Sequence, residues 1–200
     1  MKKQDFSAIE VKKLREQTGA GMMEAKRALV EASGDVAKAV EVLRKKGTLK
    51  AQAKAERSTK QGIVHAYIHG EGRIVVLLEI NCETDFVART EEFKKLVHDI
   101  ALHVAASAPL YVAREDVPAS VIEKEKEIYV AAAVAEGKAG NIVEKIVAGR
   151  VEKFLQEVCL LEQPFVKDPD ITIAELITQK VAVIGENIQV RRFTRYVLGE

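Results

Sequence analysis

Residues 62–105 read GIVHAYIHGEGRIVVLLEINCETDFVARTEEFKKLVHDIALHVA, and a change of period inside this stretch decides the fold. From Gly62 to His69 the chain alternates Val64, Ala66 and Ile68 against Ile63, His65, Tyr67 and His69, the two-residue period of a strand. Gly70-Glu71-Gly72 is a turn, and Arg73 to Cys82 is a second, more apolar strand, so the two make a hairpin. After Thr84 the period lengthens. Phe93, Leu96, Val97, Ile100, Ala101, Val104 and Ala105 recur at helical spacing, as one stripe ending before Pro109. A hairpin followed at once by an amphipathic helix predicts an α+β core, a small antiparallel sheet covered by helices.

Downstream, helices are predicted at about Ser120 to Glu136 and Asn141 to Val158. They flank Gly137-Lys138-Ala139-Gly140 and make a helical hairpin over about residues 119–158. Thr172-Ile173-Ala174-Glu175 reads as a capping box opening a short helix, and Ile188, Val190, Phe193 and Val197 suggest a closing strand. Upstream, Ser7-Ala8-Ile9-Glu10 is another capping box, in which each side chain satisfies the other's exposed backbone donor. The helix it opens carries Ala8, Val11 and Leu14 on one face and stops at Gly19. A second helix places Met22, Ala25, Ala28, Leu29 and Ala32 inward, and a third, capped by Asp35, places Val36, Ala39, Val40 and Leu43 inward and ends at Gly47. The expected organisation is a three-helix bundle over residues 1–50, a polar linker over 51–61 and the α+β core over 62–200.

Composition narrows the function. In 200 residues, 48% are hydrophobic and 30% charged, which suits a globular chain with a real core. Lys and Arg number 31 against 30 acids, a balance that gives no general support for nucleic-acid binding. Lys2, Lys3, Lys12, Lys13, Lys26, Arg27, Arg44, Lys45 and Lys46 could form a basic patch, yet no aromatics interleave with them for base stacking. Cys82 and Cys159 stand far apart in no Cys-x-x-Cys pattern, and no apolar run is long enough to cross a bilayer. The expectation is a cytoplasmic protein with no membrane segment and no direct nucleic-acid ligand.

Enzymatic machinery is not legible. No Gly-x-x-x-x-Gly-Lys-Ser/Thr loop is present, and Gly70-x-Gly72 lacks the third glycine of a dinucleotide fingerprint. His98 and His103 are five apart, roughly 140° around a helix, and off a shared metal-ligand face. The acids near Cys82 would raise its pKa, the wrong direction for a nucleophile. We therefore expect no catalytic residue, metal ligand or bound cofactor. Two places point instead to a partner. In Gly21-Met22-Met23 the two methionines lie about 100° apart on a helix, so if Met22 joins the core, Met23 is at least partly exposed. It is then either the rim of a wide core or an adaptable apolar contact. At Asn81-Cys82-Glu83-Thr84-Asp85-Phe86-Val87 a strand gives way to a helix with Thr84 as its cap. Phe86 either tucks into the core or stands out as a wedge, and the residue pattern leaves both open.

At these residues the chain resembles the elongation factor Ts family. Val11-Lys12-Lys13-Leu14-Arg15 through TGAGMMEAKRALVEASGD at Thr18–Asp35 resembles its amino-terminal three-helix, ubiquitin-associated-like domain. NCETDFVAR at Asn81–Arg89 resembles its Thr-Asp-Phe-Val signature. HVAASAP at His103–Pro109 and GRVEKFLQEVCLLEQPFVKD at Gly149–Asp168 resemble later motifs, and the likeness covers essentially the whole chain in order. The resemblance implies a nucleotide exchange factor without covalent chemistry. Such a factor binds elongation factor Tu and promotes GDP release by disturbing the partner's Mg²⁺ and phosphate contacts. It further implies that Arg15, Met22 and Met23 contact the partner's nucleotide-binding domain. Asp85 and Phe86, within the signature completed by Thr84 and Val87, would intrude near its Mg²⁺, and His69 would be a further contact. With one core unit the chain resembles short family members, for which homodimers binding two partners are expected. The rival expectation is an adaptor that binds proteins through the three-helix domain and tolerates loss of the Asp85-Phe86 corner.

Overall fold

The Ser7 hydroxyl accepts the Glu10 N–H at 3.3 Å while Glu10 Oε2 accepts the Ser7 N–H at 2.9 Å, so the first capping box forms as its sequence predicts. In the computed structural model, which describes residues 6–138 and 140–200, it opens α1 (Ala8–Thr18). Lys2 and Lys3 of the basic set, and Ala139 in the predicted helical turn, lie outside the described residues. α2 (Met22–Glu31) and α3 (Val36–Gln52) follow, the latter capped by the Asp35 carboxylate accepting the Lys38 N–H at 3.1 Å. Val11, Leu14, Ala25, Ala28, Leu29, Ala32 and Ala39 form the bundle core, with Phe6, Val40, Val42 and Leu43 packed around it.

Four expectations fail in the bundle. α3 does not end at Gly47 but runs on to Gln52. A mid-helix glycine costs about 1 kcal/mol relative to alanine, and packing overrides it here. Gly47 is buried, and a Cβ built on it would lie 3.4 Å from Ala182. Met22 is not a core residue, being 47% exposed. It is the first residue of α2, and a side chain there lies over the preceding turn rather than between the helices. Ala8 and Val36, each the first residue of its helix, are exposed for the same reason.

The strands are β1 (Gln61–His69), β2 (Ile74–Cys82), β3 (Pro164–Phe165), β4 (Asp168–Thr172) and β5 (Ile188–Val197). β1, β2 and β5 form an antiparallel sheet in the order β1-β2-β5. Gly62 has a positive φ of 149°, and a Cβ there would fall 2.2 Å from the Ile80 carbonyl oxygen, so glycine is required at this approach of β1 to β2. β3 and β4 pair antiparallel as a separate two-stranded ladder, which the sequence did not announce.

Among the described residues the remaining helices are α4 (Asp85–Ala88), α5 (Glu91–Ser107), α6 (Ala119–Ala135), α7 (Asn141–Val158) and α8 (Ile173–Ile184), eight in all. Every member of the predicted α5 stripe, Phe93 through Ala105, is buried. α6 and α7 form the helical hairpin. The architecture is therefore α+β: a three-helix bundle, then a small antiparallel sheet with helices and a helical hairpin.

Contacts divide the chain into two compact units. The first draws on the chain up to Ile63, on Ile80–Leu96 and on Glu175–Gln189. The second draws on Val64–Glu79, Val97–Ala174 and Val190–Glu200. Within the second, Val117, Leu155 and Cys159 make a small cluster with Tyr111, Val121, Ile122, Val151, Phe154 and Val158 around it. Buried His103 is also held there. The Val166 N–H donates to its Nδ1 at 3.2 Å, which leaves the proton on Nε2 to be donated to Gln163 Oε1 at 2.9 Å. Gln163 in turn donates from Nε2 to the Glu157 carbonyl at 2.6 Å.

Candidate functional site

In the first unit β2 ends at Cys82 and the chain turns through Glu83 and Thr84 into the single turn of α4. Thr84 is its cap, its hydroxyl oxygen accepting the Val87 N–H at 3.4 Å. Thr84, Asp85, Phe86 and Val87 are thus brought together on one tight corner. The Phe86 side chain does not tuck into the core: the residue is 78% exposed. Asp85 Oδ2 accepts a hydrogen bond from Arg89 Nη2 at 2.7 Å, one helical turn on, so its charge is countered but not buried. Val87 is half-buried and Ala88 buried, and these tie the turn to the unit's interior.

A polar frame stands behind the corner. Glu186 Oε2 accepts the N–H groups of Glu83 and Thr84, each at 3.0 Å, and its Oε1 accepts the Thr84 hydroxyl at 2.6 Å. In return Glu83 Oε1 accepts the Asn187 N–H at 2.7 Å. Buried Asn187 donates from Nδ2 to the carbonyls of Ala55 at 3.1 Å and Arg57 at 2.9 Å. Cys82, fully buried, donates its thiol to the Thr84 carbonyl at 3.2 Å. Burial, then the Glu186 charge, push this thiol up to about 11, so it stays protonated and packs as a small apolar group.

The other predicted residues fall as follows. Arg15 lies exposed in the last turn of α1, four residues before the left-handed Gly19 that stops it. Met22 and Met23 occupy the first turn of α2, Met23 being 60% exposed, and both methionines face solvent rather than one. Arg15, Met22, Met23 and the corner belong to the first unit. His69 belongs to the second, at the end of β1, where its ring stacks on Tyr67 with centroids 6.0 Å apart and its Nδ1 lies 3.1 Å from the Tyr67 hydroxyl.

Sequence reading missed Arg89, Glu83, Glu186 and Asn187. Arg89 carried a signal, since it stands four residues after Asp85 on a predicted helix. Glu186 and Asn187 carried none, because more than a hundred positions separate them from the residues they hold.

Residues 8–200 match the family model described as Elongation factor TS. The chain belongs to the elongation factor Ts family. It is 64% identical to the elongation factor Ts of Carboxydothermus hydrogenoformans, over 95% of this chain and 88% of that protein. To that of Moorella thermoacetica it is 62% identical over 98% and 96%. To that of Caldanaerobacter subterraneus subsp. tengcongensis it is 55% identical over 98% of each. Elongation factor Ts proteins are factors of translation elongation, so the family places the chain in protein biosynthesis. What the site offers is an exposed ring and a carboxylate on a braced corner.

Proposed function

We propose that this chain binds elongation factor Tu in its GDP-bound state and speeds GDP release, so that GTP can bind. The observation that carries this reading is Phe86, 78% exposed on a corner whose backbone is fixed from behind. A ring so placed buries little in its own chain and is available to insert between elements of a partner. Asp85 beside it would bring a carboxylate towards the partner's Mg²⁺ and phosphate contacts. Arg15, Met22 and Met23 would supply separate contacts with the nucleotide-binding domain, Val87 and Thr84 would support the corner, and His69 would add a contact from the second unit.

The energetics require this division. Each tenfold acceleration of release needs about 1.4 kcal/mol, and burying one Phe yields about 1.5–3 kcal/mol. A thousandfold acceleration, about 4 kcal/mol, therefore needs binding energy from outside the wedge. Coupling is reciprocal: a factor that weakens GDP binding is itself bound more weakly when GDP is present, by the same ratio. The factor then needs no covalent step and no cofactor of its own, and acts on the GDP and Mg²⁺ of its partner.

The reading extends to a cytoplasmic homodimer that engages two partners. Among the described residues no helix is long and apolar enough to cross a membrane. In the second unit, Val64, Ile68, Leu77 and Tyr196 are exposed on the sheet, opposite the buried Val76 and Leu78, an apolar face suited to a second copy. The domain reading, a bundle over 1–50, a linker over 51–61 and a core over 62–200, belongs to the same proposal.

The test is stopped-flow release of fluorescent GDP from elongation factor Tu, with wild type and Asp85→Ala/Phe86→Ala. Strong acceleration by wild type, largely lost in the folded double variant, is the expected result. Acceleration kept by the variant moves the mechanism to other contacts. No acceleration by folded wild type with a matched partner sinks the exchange reading and favours an adaptor.

A further inference from the structure

The corner that carries Phe86 is too short to hold itself. α4 has four residues, fewer than an isolated helix needs to persist, and Phe86 touches little that could fix its direction. What restrains it comes from the far end of the sequence, where α8 gives way to β5 at Glu186 and Asn187. The two segments clasp each other through carboxylates. Glu186 takes two backbone N–H groups and one hydroxyl from Glu83 and Thr84, and Glu83 takes the backbone N–H of Asn187. Bonds of this kind, with an ionised acceptor, are about twice as strong as neutral ones.

The Thr84 hydroxyl links the clasp to the wedge. It donates to Glu186 Oε1 and accepts the Val87 N–H, so the carboxylate orients the group that caps the Phe86 turn. Asn187 fixes the opposite side by donating to the carbonyls of Ala55 and Arg57, and Arg57 Nη1 lies 3.5 Å from Glu83 Oε2, countering the charge of the carboxylate pair. Both glutamates are half-buried, whereas Phe86 is exposed.

We propose that Glu186, with Glu83 and Asn187, is a positioning residue for nucleotide exchange: the carboxylate clasp sets the Asp85–Phe86 corner in its working shape before the partner arrives. The proposal rests on the exchange reading above. Preorganisation of this kind removes an ordering cost from the step in which the wedge enters. It therefore acts on the maximal exchange rate rather than on the first encounter, which Arg15, Met22 and Met23 of the bundle serve.

The experiment uses the full chain, with Glu186→Ala and Glu186→Gln. GDP release from elongation factor Tu is measured over a range of factor concentration, and amide hydrogen exchange is followed at Glu83 and Thr84. Glu186→Ala is expected to lower the maximal rate about tenfold, the equivalent of about 1.4 kcal/mol, with the half-saturating concentration little changed. The Glu83 and Thr84 amides should lose protection. Glu186→Gln keeps an acceptor oxygen without the charge and should fall between alanine and wild type. It decides by the same two readouts if the alanine variant does not fold. A maximal rate like that of wild type, despite unprotected amides, overturns the positioning role and leaves the exchange reading standing. Amides as protected as in wild type overturn the clasp itself. No acceleration by wild type overturns the exchange reading, and the positioning role falls with it.

Discussion

At the Asp85–Phe86 corner polar side chains fix a turn so that an apolar ring stays out, whereas around His103 they fix a turn so that the ring itself stays in. Phe86 is 78% exposed, on a corner braced by the Glu186 carboxylate from a distant segment. His103 is fully buried, and both its nitrogens are satisfied, one by the Val166 N–H and one by Gln163. The difference separates two uses of the same chemistry. A buried hydrogen-bonded ring raises stability because leaving its partners unmatched is costly. An exposed ring on a braced turn adds little to stability and holds surface ready for another molecule.

The comparison breaks most visibly at His103. His103→Ala should cost about 2–4 kcal/mol, through the cavity and the unmatched Val166 N–H and Gln163 carbonyl. The urea midpoint should fall accordingly. Acceleration of GDP release per folded molecule should stay near wild type; a loss there with stability intact would put His103 in the working site. Phe86→Ala is the converse. Its stability should remain within about 0.5 kcal/mol of wild type, while acceleration falls about ten- to hundredfold, the range that burial of one Phe can supply. A large drop in melting temperature would show the ring packs against its own chain in solution.

Acid sharpens the contrast further. Burial pushes the His103 imidazole below its ordinary range, with the Gln163 bond opposing the shift, and burial together with the neighbouring His98 lowers His65. A histidine lowered in the folded state takes up protons more readily when unfolded. Its stabilisation is therefore complete above the unfolded value of about 6.5 and is lost as pH falls from there towards the folded value. Protonation would also place a proton on Nδ1, facing the Val166 N–H. Stability measured by urea unfolding should therefore drop as the pH is taken from 7 to 5. His103→Gln should flatten part of that slope, leaving the share of His65. An unchanged slope would mean His103 does not titrate with unfolding.

The parts legible in advance were those whose causes are local. Ser7 and Glu10 are three residues apart, the α5 stripe lies on one helix, and Gly70–Gly72 joins adjacent strands. Spacing alone was enough for each. The failures came from contacts that spacing does not carry. Gly47 reads as a stop, but the packing of α3 near Ala182 carries the helix through it. The β3–β4 ladder pairs two short segments, one with Pro164 and one with Pro169, and neither alternates long enough to read as a strand. The Phe86 corner was found as an anomaly, yet residue pattern left its direction open. Its brace at Glu186 lies 102 positions from Thr84, a pairing that only the folded chain brings about.

The smallest expected effect concerns the methionines, and it separates holding from prying. Met22 and Met23 are 47% and 60% exposed, so truncating either removes only part of a buried side chain. Met22→Ala and Met23→Ala should each change stability by no more than about 0.5 kcal/mol. If they anchor the partner, each lost contact weakens binding by about two- to tenfold, or about 0.4–1.4 kcal/mol, since a half-exposed apolar side chain gives up only part of its full burial energy. That loss belongs in the concentration of factor needed for half-maximal exchange, because the bundle's contacts hold the partner before and after the nucleotide leaves. On the proposed reading Phe86 would act only where the partner has been opened, so its loss would belong in the maximal rate. A methionine variant that lowers the maximal rate at unchanged half-saturation would place α2 in the prying step and erase the division between the two sites.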